Sequence, residues 1–319
     1  MKPKLLVITP VKHILGVCAK LESYCDVTYI DNPNRDEIFS IINKYESIFT
    51  NPNKSKIFIG KDLIDKAKNL KVICTASTGT NHIDIDYAKK KNIFIISLTE
   101  ERKIINKISS TAEHSFALTL SSLRNIPASY SDVLNGGWDY EKFIGRQMDG
   151  LTIGVIGFGR LGSLYSKYCM AFGSKVLVFD PHKNISESGV RQVHEIAELL
   201  SMSDVISLHV HVTDETKNMI DKNCLNQMKP GALIINTSRG EIINELDLIE
   251  YLSRNKFAKI ATDVLADEIR NREDSPLLNF ALKSDQVIVT PHIGGMTKEA
   301  QEIAYNHAAN LLGRYFDKI

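Results

Sequence analysis

The sequence predicts an α/β protein built from two doubly wound parallel-sheet domains. Three observations carry that expectation. Short β-branched runs alternate with helical patterns along the whole chain, the rhythm of parallel sheets with helices on both faces. A strand–turn–helix–strand unit with three spaced glycines sits in mid-chain, within residues 151–180. A length of 319 residues leaves room for two ordinary domains, each burying its own core.

In order, the first half offers Leu5–Thr9, Val27–Ile30, Ser47–Thr50, Val72–Thr75 and Ile93–Ile96 as strands, with helical patterns such as Lys61–Lys68 between them. Ser110-Thr111-Ala112-Glu113 reads as a capping box opening an apolar helix to about Leu123, which would connect the two domains. Residues 124–148 carry Tyr130, Trp138, Tyr140 and Phe143 without a strand or long-helix pattern. The second half gives Val205–His209, Ala232–Asn236, Lys259–Val264 and Gln286–Thr290 as strands, with an amphipathic helix at Asn244–Ser253. Residues 265–286 read as the one long loop inside a domain, and Lys298–Tyr315 as a terminal helix.

The glycine unit is the most specific signal. Leu151–Ile156 is a buried strand; Gly157 permits the tight turn, Gly159 lets backbone approach a pyrophosphate, and Gly162 lets the next helix lie against the sheet. That helix starts near Arg160 and presents free N–H groups and a positive dipole end to a diphosphate. It stops at Gly173, and Lys175–Phe179 forms a second strand ending at Asp180. There a carboxylate can accept both ribose hydroxyls and repels a 2′-phosphate, so the expected cofactor is NAD rather than NADP.

Composition narrows the alternatives. Thirty-nine basic against 38 acidic residues gives no electrostatic case for nucleic acid or an anionic membrane. No stretch approaches the roughly 18 apolar residues of a membrane span, and Met1-Lys2-Pro3-Lys4 shows no leader pattern. Cys18, Cys25, Cys74, Cys169 and Cys224 are scattered and odd in number, which suits reduced thiols in the cytoplasm. His209 and His211 share a strand face, yet no third ligand follows at suitable spacing, so no metal is expected and these are cofactor-edge positions. No Gly-x-Ser-x-Gly elbow supports a hydrolase.

Ligands of open α/β sheets sit beyond the carboxyl ends of strands, and three polar clusters fall there. They are Asn236-Thr237-Ser238-Arg239-Gly240, Asp263 with Glu268 five residues on, and Thr290-Pro291-His292-Ile293-Gly294-Gly295. An arginine fork binds a carboxylate and polarises the neighbouring carbonyl. A histidine exchanges a proton with that oxygen near neutral pH, and a carboxylate on its other ring nitrogen fixes the tautomer. That set suits reduction of a 2-keto acid.

At these residues the chain resembles the D-isomer-specific 2-hydroxyacid dehydrogenase family, from about Val72 to Phe316 and more loosely before that. The motifs in order are Gly79-Thr80-Asn81-His82-Ile83-Asp84, Thr111-Ala112-Glu113-His114, the glycine turn, Asn236–Gly240, Asp263-Val264 and Thr290–Gly295. The resemblance implies a flavodoxin-like substrate domain at 1–100 plus 294–319 and a Rossmann NAD-binding domain at 101–293, with 124–148 as a homodimerisation arm in which Trp138 is shielded. It implies catalytic roles for Arg239, Glu268 and His292, with Ser77, Thr78 and Gly79 holding the substrate carboxylate. Asp263 would bind the nicotinamide carboxamide, and Arg160, Leu161, His209, Thr216, Thr237, Ser238, Gly294 and Gly295 would line the cofactor. His114 would anchor the connecting helix. The family usually has proline after the catalytic glutamate; Ile269 stands there, and Asp267 is adjacent, so the position of the acid is set by its spacing from Asp263-Val264.

The Gly79–Asp84 run and Thr290–Gly295 with Met296-Thr297 look most like the 3-phosphoglycerate dehydrogenase branch. A phosphorylated substrate would need cations, for which Lys54 or Arg102-Lys103 are candidates; Thr75 stands where some members of that branch have arginine, and Leu98–Lys107 is longer and more charged than usual. Glyoxylate or hydroxypyruvate reduction and sugar-acid dehydrogenation stay open. The active site is expected in the interdomain cleft. With 24 residues after Gly295, no regulatory domain and no serine feedback are expected. The reading from a different class is a non-catalytic NAD-sensing interaction protein, which the near-neutral charge disfavours.

Overall fold

The computed structural model describes residues 2–52 and 57–318. The chain divides into two compact units, residues 1–108 with 295–319 and residues 109–294.

The first unit holds β1 (Lys4–Val7), α1 (Val17–Tyr24), β2 (Asp26–Tyr29), α2 (Arg35–Ile41), β3 (Ser47–Thr50), α3 (Lys61–Lys66), β4 (Val72–Thr75), α4 (Ile85–Lys90), β5 (Phe94–Ile96) and α5 (Arg102–Ile105). Its five strands are all parallel in the order β2-β1-β3-β4-β5. β3 and β4 are buried throughout, as central strands covered on both faces must be. Asp84, in the Gly79–Asp84 motif, caps α4 by accepting the Tyr87 N–H at 3.0 Å.

The second unit holds α6 (Ser110–Leu123), α7 (Ile126–Leu134), β6 (Thr152–Ile156), α8 (Arg160–Ala171), β7 (Lys175–Phe179), β8 (Val190–Gln192), α9 (Ile196–Met202), β9 (Val205–Leu208), α10 (Lys222–Asn226), β10 (Leu233–Asn236), α11 (Glu245–Arg254), β11 (Lys259–Thr262), α12 (Pro276–Ala281) and β12 (Val287–Val289). Seven parallel strands run β12-β11-β10-β9-β6-β7-β8, so the strand order reverses between β6 and β9. α13 (Lys298–Phe316) belongs to the first unit, where it packs along α1.

Three local expectations are corrected. Ser109, not Ser110, precedes α6, and its hydroxyl meets the Glu113 carboxylate at 2.5 Å rather than capping a backbone N–H. The 124–148 stretch contains a nine-residue helix, α7, which buries none of its side chains. The 265–286 segment contains α12, opened by Ser275, whose hydroxyl accepts the Leu278 N–H at 3.2 Å, and by Pro276 in the first turn. Among the described residues no helix is long and apolar enough to cross a membrane.

Candidate active site

The glycine turn follows β6, beside the reversal of strand order. Gly157 has φ +89°, and a Cβ there would lie 2.6 Å from the His209 carbonyl oxygen, so conformation and space both require glycine. At Gly162 a Cβ would lie 2.1 Å from the Gly157 carbonyl oxygen, which is the close helix–turn contact the motif demands. Gly159 differs: nothing lies within 4 Å of a Cβ built on it. It caps α8 with no side-chain hydrogen bond, leaving an open cradle at a helix N-terminus. Asp180 braces the turn, its Oδ2 accepting the Phe158 N–H at 2.9 Å and its Oδ1 the His182 N–H at 3.1 Å. A carboxylate has further lone pairs, so ribose hydroxyls remain within its capacity. Lys183 donates to the Phe158 carbonyl at 2.7 Å, which ties its ammonium to the turn. An open glycine cradle with an acidic group beyond it fits a dinucleotide without a 2′-phosphate.

Three loops at the carboxyl ends of β10, β11 and β12 carry the remaining polar groups. Asn236 shapes the first, donating to the Arg239 carbonyl at 2.9 Å and accepting the Ser238 N–H at 3.0 Å. At Gly240 a Cβ would lie 2.0 Å from the Leu265 carbonyl carbon, so glycine lets the loops bearing Arg239 and Glu268 close on each other. Burial pulls the Arg239 guanidinium below its ordinary value, opposed by Glu268 and Glu241; it stays protonated all the same. His292 Nδ1 lies 2.5 Å from Glu268 Oε1, with side-chain exposures of 16% and 14%. Glu268 Oε2 accepts the Leu265 N–H at 3.2 Å, while the neighbouring Asp267 turns away to Arg270 at 2.9 Å.

His292 has φ +54°, a left-handed conformation that a side chain of its size adopts only under constraint. The constraint is Asp263, whose side chain is 1% exposed. Its Oδ1 accepts the Thr290 hydroxyl at 2.5 Å and the Ile293 N–H at 2.9 Å, and its Oδ2 accepts the Gly294 N–H at 2.7 Å. His114 Nε2 approaches the same carboxylate at 3.3 Å and Thr290 Oγ1 at 2.9 Å. Burial raises the Asp263 carboxyl, but the bonds from His114, Thr290 and the two amides outweigh it and hold it below the usual carboxylate range.

Several sequence candidates have side chains engaged inside the protein. The Thr237 hydroxyl meets Ser115 at 2.7 Å, Ser238 donates to the Leu208 carbonyl at 2.7 Å, and Thr216 donates to the His211 carbonyl at 2.5 Å. Arg160 and Leu161 open α8, and a Cβ on Gly295 would meet nothing within 4 Å. In the first unit, Ser77 Oγ accepts the Gly79 N–H at 2.9 Å, and the Thr78 carbonyl accepts the Thr99 hydroxyl at 2.9 Å. Arg102 and Lys103 are exposed at the start of α5, whereas Lys54 lies outside the described residues. Sequence reading did not single out Glu245. Buried at the start of α11, it accepts the Ala266 N–H at 2.8 Å and the Ser275 hydroxyl at 3.2 Å, pinning both ends of the loop that carries Glu268.

A glycine-turn sheet with an Arg–Glu–His set on its carboxyl edge defines a dinucleotide-binding oxidoreductase type of domain. Residues 116–294 match the family model described as D-isomer specific 2-hydroxyacid dehydrogenase, NAD binding domain, and the chain belongs to that family. It is 38% identical over 271 residues to the D-3-phosphoglycerate dehydrogenase of Archaeoglobus fulgidus, an alignment covering 84% of this chain and 49% of that protein. It is 33% identical over 272 residues to the hydroxypyruvate reductase of Thermotoga maritima, covering 84% and 83%. Among solved structures, D-lactate dehydrogenase from Aquifex aeolicus complexed with NAD and lactic acid superposes with a TM-score of 0.82 at 31% identity, covering 99% of this chain and 96% of that one. The chain spans about half the length of the phosphoglycerate dehydrogenases it matches.

Proposed function

We propose that the protein is an NAD-dependent D-2-hydroxyacid dehydrogenase, with 3-phosphoglycerate and phosphohydroxypyruvate as its first candidate pair. Bound NAD supplies hydride-transfer chemistry. Arg239 binds the substrate carboxylate with its planar fork and steadies negative charge on the reacting oxygen. His292 exchanges the proton of that oxygen at Nε2, since Nδ1 faces Glu268. Glu268 at Nδ1 orients the ring and fixes that tautomer. Asp180 takes the adenosine ribose hydroxyls, and the amides of Gly159 to Leu161 take the diphosphate. The Ser77–Gly79 loop takes the substrate carboxylate through backbone N–H groups; Gly79 must then release Ser77 Oγ. The single observation that carries this reading is the His292–Glu268 contact on the carboxyl edge of the sheet that bears the glycine turn.

Hydroxypyruvate reduction is the second reading, favoured by the Thermotoga maritima relative, of which the alignment covers 83%. An NADH-oxidation screen over phosphohydroxypyruvate, hydroxypyruvate, glyoxylate and sugar-derived 2-keto acids separates the two. Turnover is expected with at least one of them and greater with NADH than with NADPH. Inactivity across the panel, with NAD binding intact, would move the protein to the NAD-sensing class.

The same reading makes the chain a homodimer in the cytoplasm. Ile126, Tyr130, Leu134, Trp138, Tyr140 and Ile144 are all exposed in the arm, Trp138 at 89%, an apolar set that favours burial against a second copy. Light scattering at micromolar concentration checks it; a monomeric mass would refute the dimer.

A further inference from the structure

Beyond β4 the Ser77–Gly79 loop is held by its carbonyls, from the segment that follows β5. The Leu98 N–H donates to the Ser77 carbonyl at 3.0 Å. The Thr99 hydroxyl donates to the Thr78 carbonyl at 2.9 Å and accepts the Ser97 hydroxyl at 3.1 Å. A trans peptide points its C=O and its N–H to opposite sides. Carbonyls that face Leu98 and Thr99 therefore turn the N–H groups of Thr78 and Gly79 the other way. Thr78 is exposed, and its N–H meets no acceptor among the described residues. The Gly79 N–H rests on Ser77 Oγ at 2.9 Å.

The gripping segment is itself fixed. Leu98 is buried in the core of the first unit, as is Ile105 of α5. Between them the Glu101 N–H donates to the Leu98 carbonyl at 3.1 Å, and Glu101 Oε2 lies 2.7 Å from His307 Nε2 on α13. The turn 98–101 is thus tied to the core by two apolar side chains and to α13 by a charged one. A loop gripped in this way has little left to order when a ligand arrives, which is how preorganisation adds affinity.

We propose that Thr99 is a positioning residue for the substrate: with Leu98 it grips two successive carbonyls, so that the Thr78 and Gly79 N–H groups face the carboxylate of the 2-keto acid. The proposal rests on the reading that the Ser77–Gly79 loop takes that carboxylate. The carboxylate keeps its charge throughout hydride transfer, so bonds to it stabilise ground state and transition state alike. Thr99→Val removes the hydroxyl and keeps the branched shape. It should raise KM for the keto acid about two- to tenfold, the worth of one hydrogen bond, with kcat and KM for NADH near wild type. Thr99→Ser should restore KM. A hydroxyl that served stability alone would lower the thermal midpoint and leave this split unseen.

Oxamate, an unreactive amide with the carboxylate and carbonyl of a 2-keto acid, probes the loop directly when titrated into the full chain with NADH present. The Thr78 and Gly79 amide resonances are expected to move as it binds. Half-saturation should need about two- to tenfold more oxamate in Thr99→Val than in wild type or Thr99→Ser. Wild-type oxamate affinity in Thr99→Val overturns the proposal, and so does an equal weakening of NADH. In the free wild-type chain the Leu98 amide should exchange its hydrogen far more slowly than the Thr78 amide; equal rates overturn the grip without any variant having to fold. Wild-type Thr78 and Gly79 amides that oxamate leaves unmoved would sink the loop reading itself, and the proposal with it.

Discussion

Two histidine–carboxylate pairs bear on the segment 290–294, and chemically they are the same pair. His292 with Glu268 keeps side-chain exposures of 16% and 14%. His114 with Asp263 has a carboxylate only 1% exposed, and its atoms are engaged by Thr290 and by two backbone amides. The proposed function gives proton exchange to the first pair. The second holds the backbone that aims the first, including the left-handed turn at His292. The difference teaches that residue type alone does not separate the two pairs; what separates them is how deeply the fold buries the carboxylate and how many backbone amides it binds.

The sharpest break comes at His292. His292→Ala should lower kcat by about 10²–10⁴, the usual worth of a positioned acid–base group, with the thermal midpoint nearly unchanged. Loss of stability on the same scale as loss of activity would place His292 with the bracing pair instead. Asp263→Asn should do what His292→Ala does not. Its amide cannot accept at both ends, so a charge-assisted bond to the Gly294 or Ile293 amide is lost. We expect about 2–3 kcal/mol less stability by denaturant titration together with reduced kcat. Full activity with a lowered midpoint would mean that the turn at His292 does not depend on the brace.

Glu268→Gln is subtler. Without the carboxylate at Nδ1 the His292 ring loses the contact that orients it, so kcat should fall, though less than in His292→Ala. Asp267→Asn, whose target is bound to Arg270, should leave kcat in place. The opposite pattern would assign the acid to Asp267.

Much of this was legible in the sequence, for physical reasons that also explain the gaps. Central strands such as Val72–Thr75 and Leu233–Asn236 are covered on both faces and open on unbroken apolar runs, Val-Ile-Cys and Leu-Ile-Ile. β8, Val190-Arg191-Gln192, is a half-exposed edge strand with no such run, and nothing in its pattern betrays it. α7 has apolar residues, but none of them is buried within the chain, so no inward stripe exists to be read. The polar clusters stood out because strand ends are where such sheets place chemistry. The brace did not, because Asp263 meets His114 and Gly294 across long stretches of sequence. The same holds for Glu245, which looks like an ordinary first-turn acid of α11 until its partners Ala266 and Ser275 are seen. Long-range hydrogen bonds leave no periodic trace.

His114 should give the smallest effect, and it tests the comparison most finely. Thr290 gives its only proton to Asp263, so its oxygen accepts from His114 Nε2. A neutral ring suffices for that bond; no charge is needed. Replacement by glutamine keeps an N–H donor and should leave kcat and the midpoint close to wild type. Replacement by alanine leaves the Thr290 oxygen short of one donor at a half-buried position, a loss of about 1 kcal/mol in stability. Its effect on kcat should stay below that of Asp263→Asn, because the carboxylate still grips both amides. Should His114→Gln instead lower kcat as Glu268→Gln does, His114 would take part in the reaction, and the division of labour between the two pairs would fail.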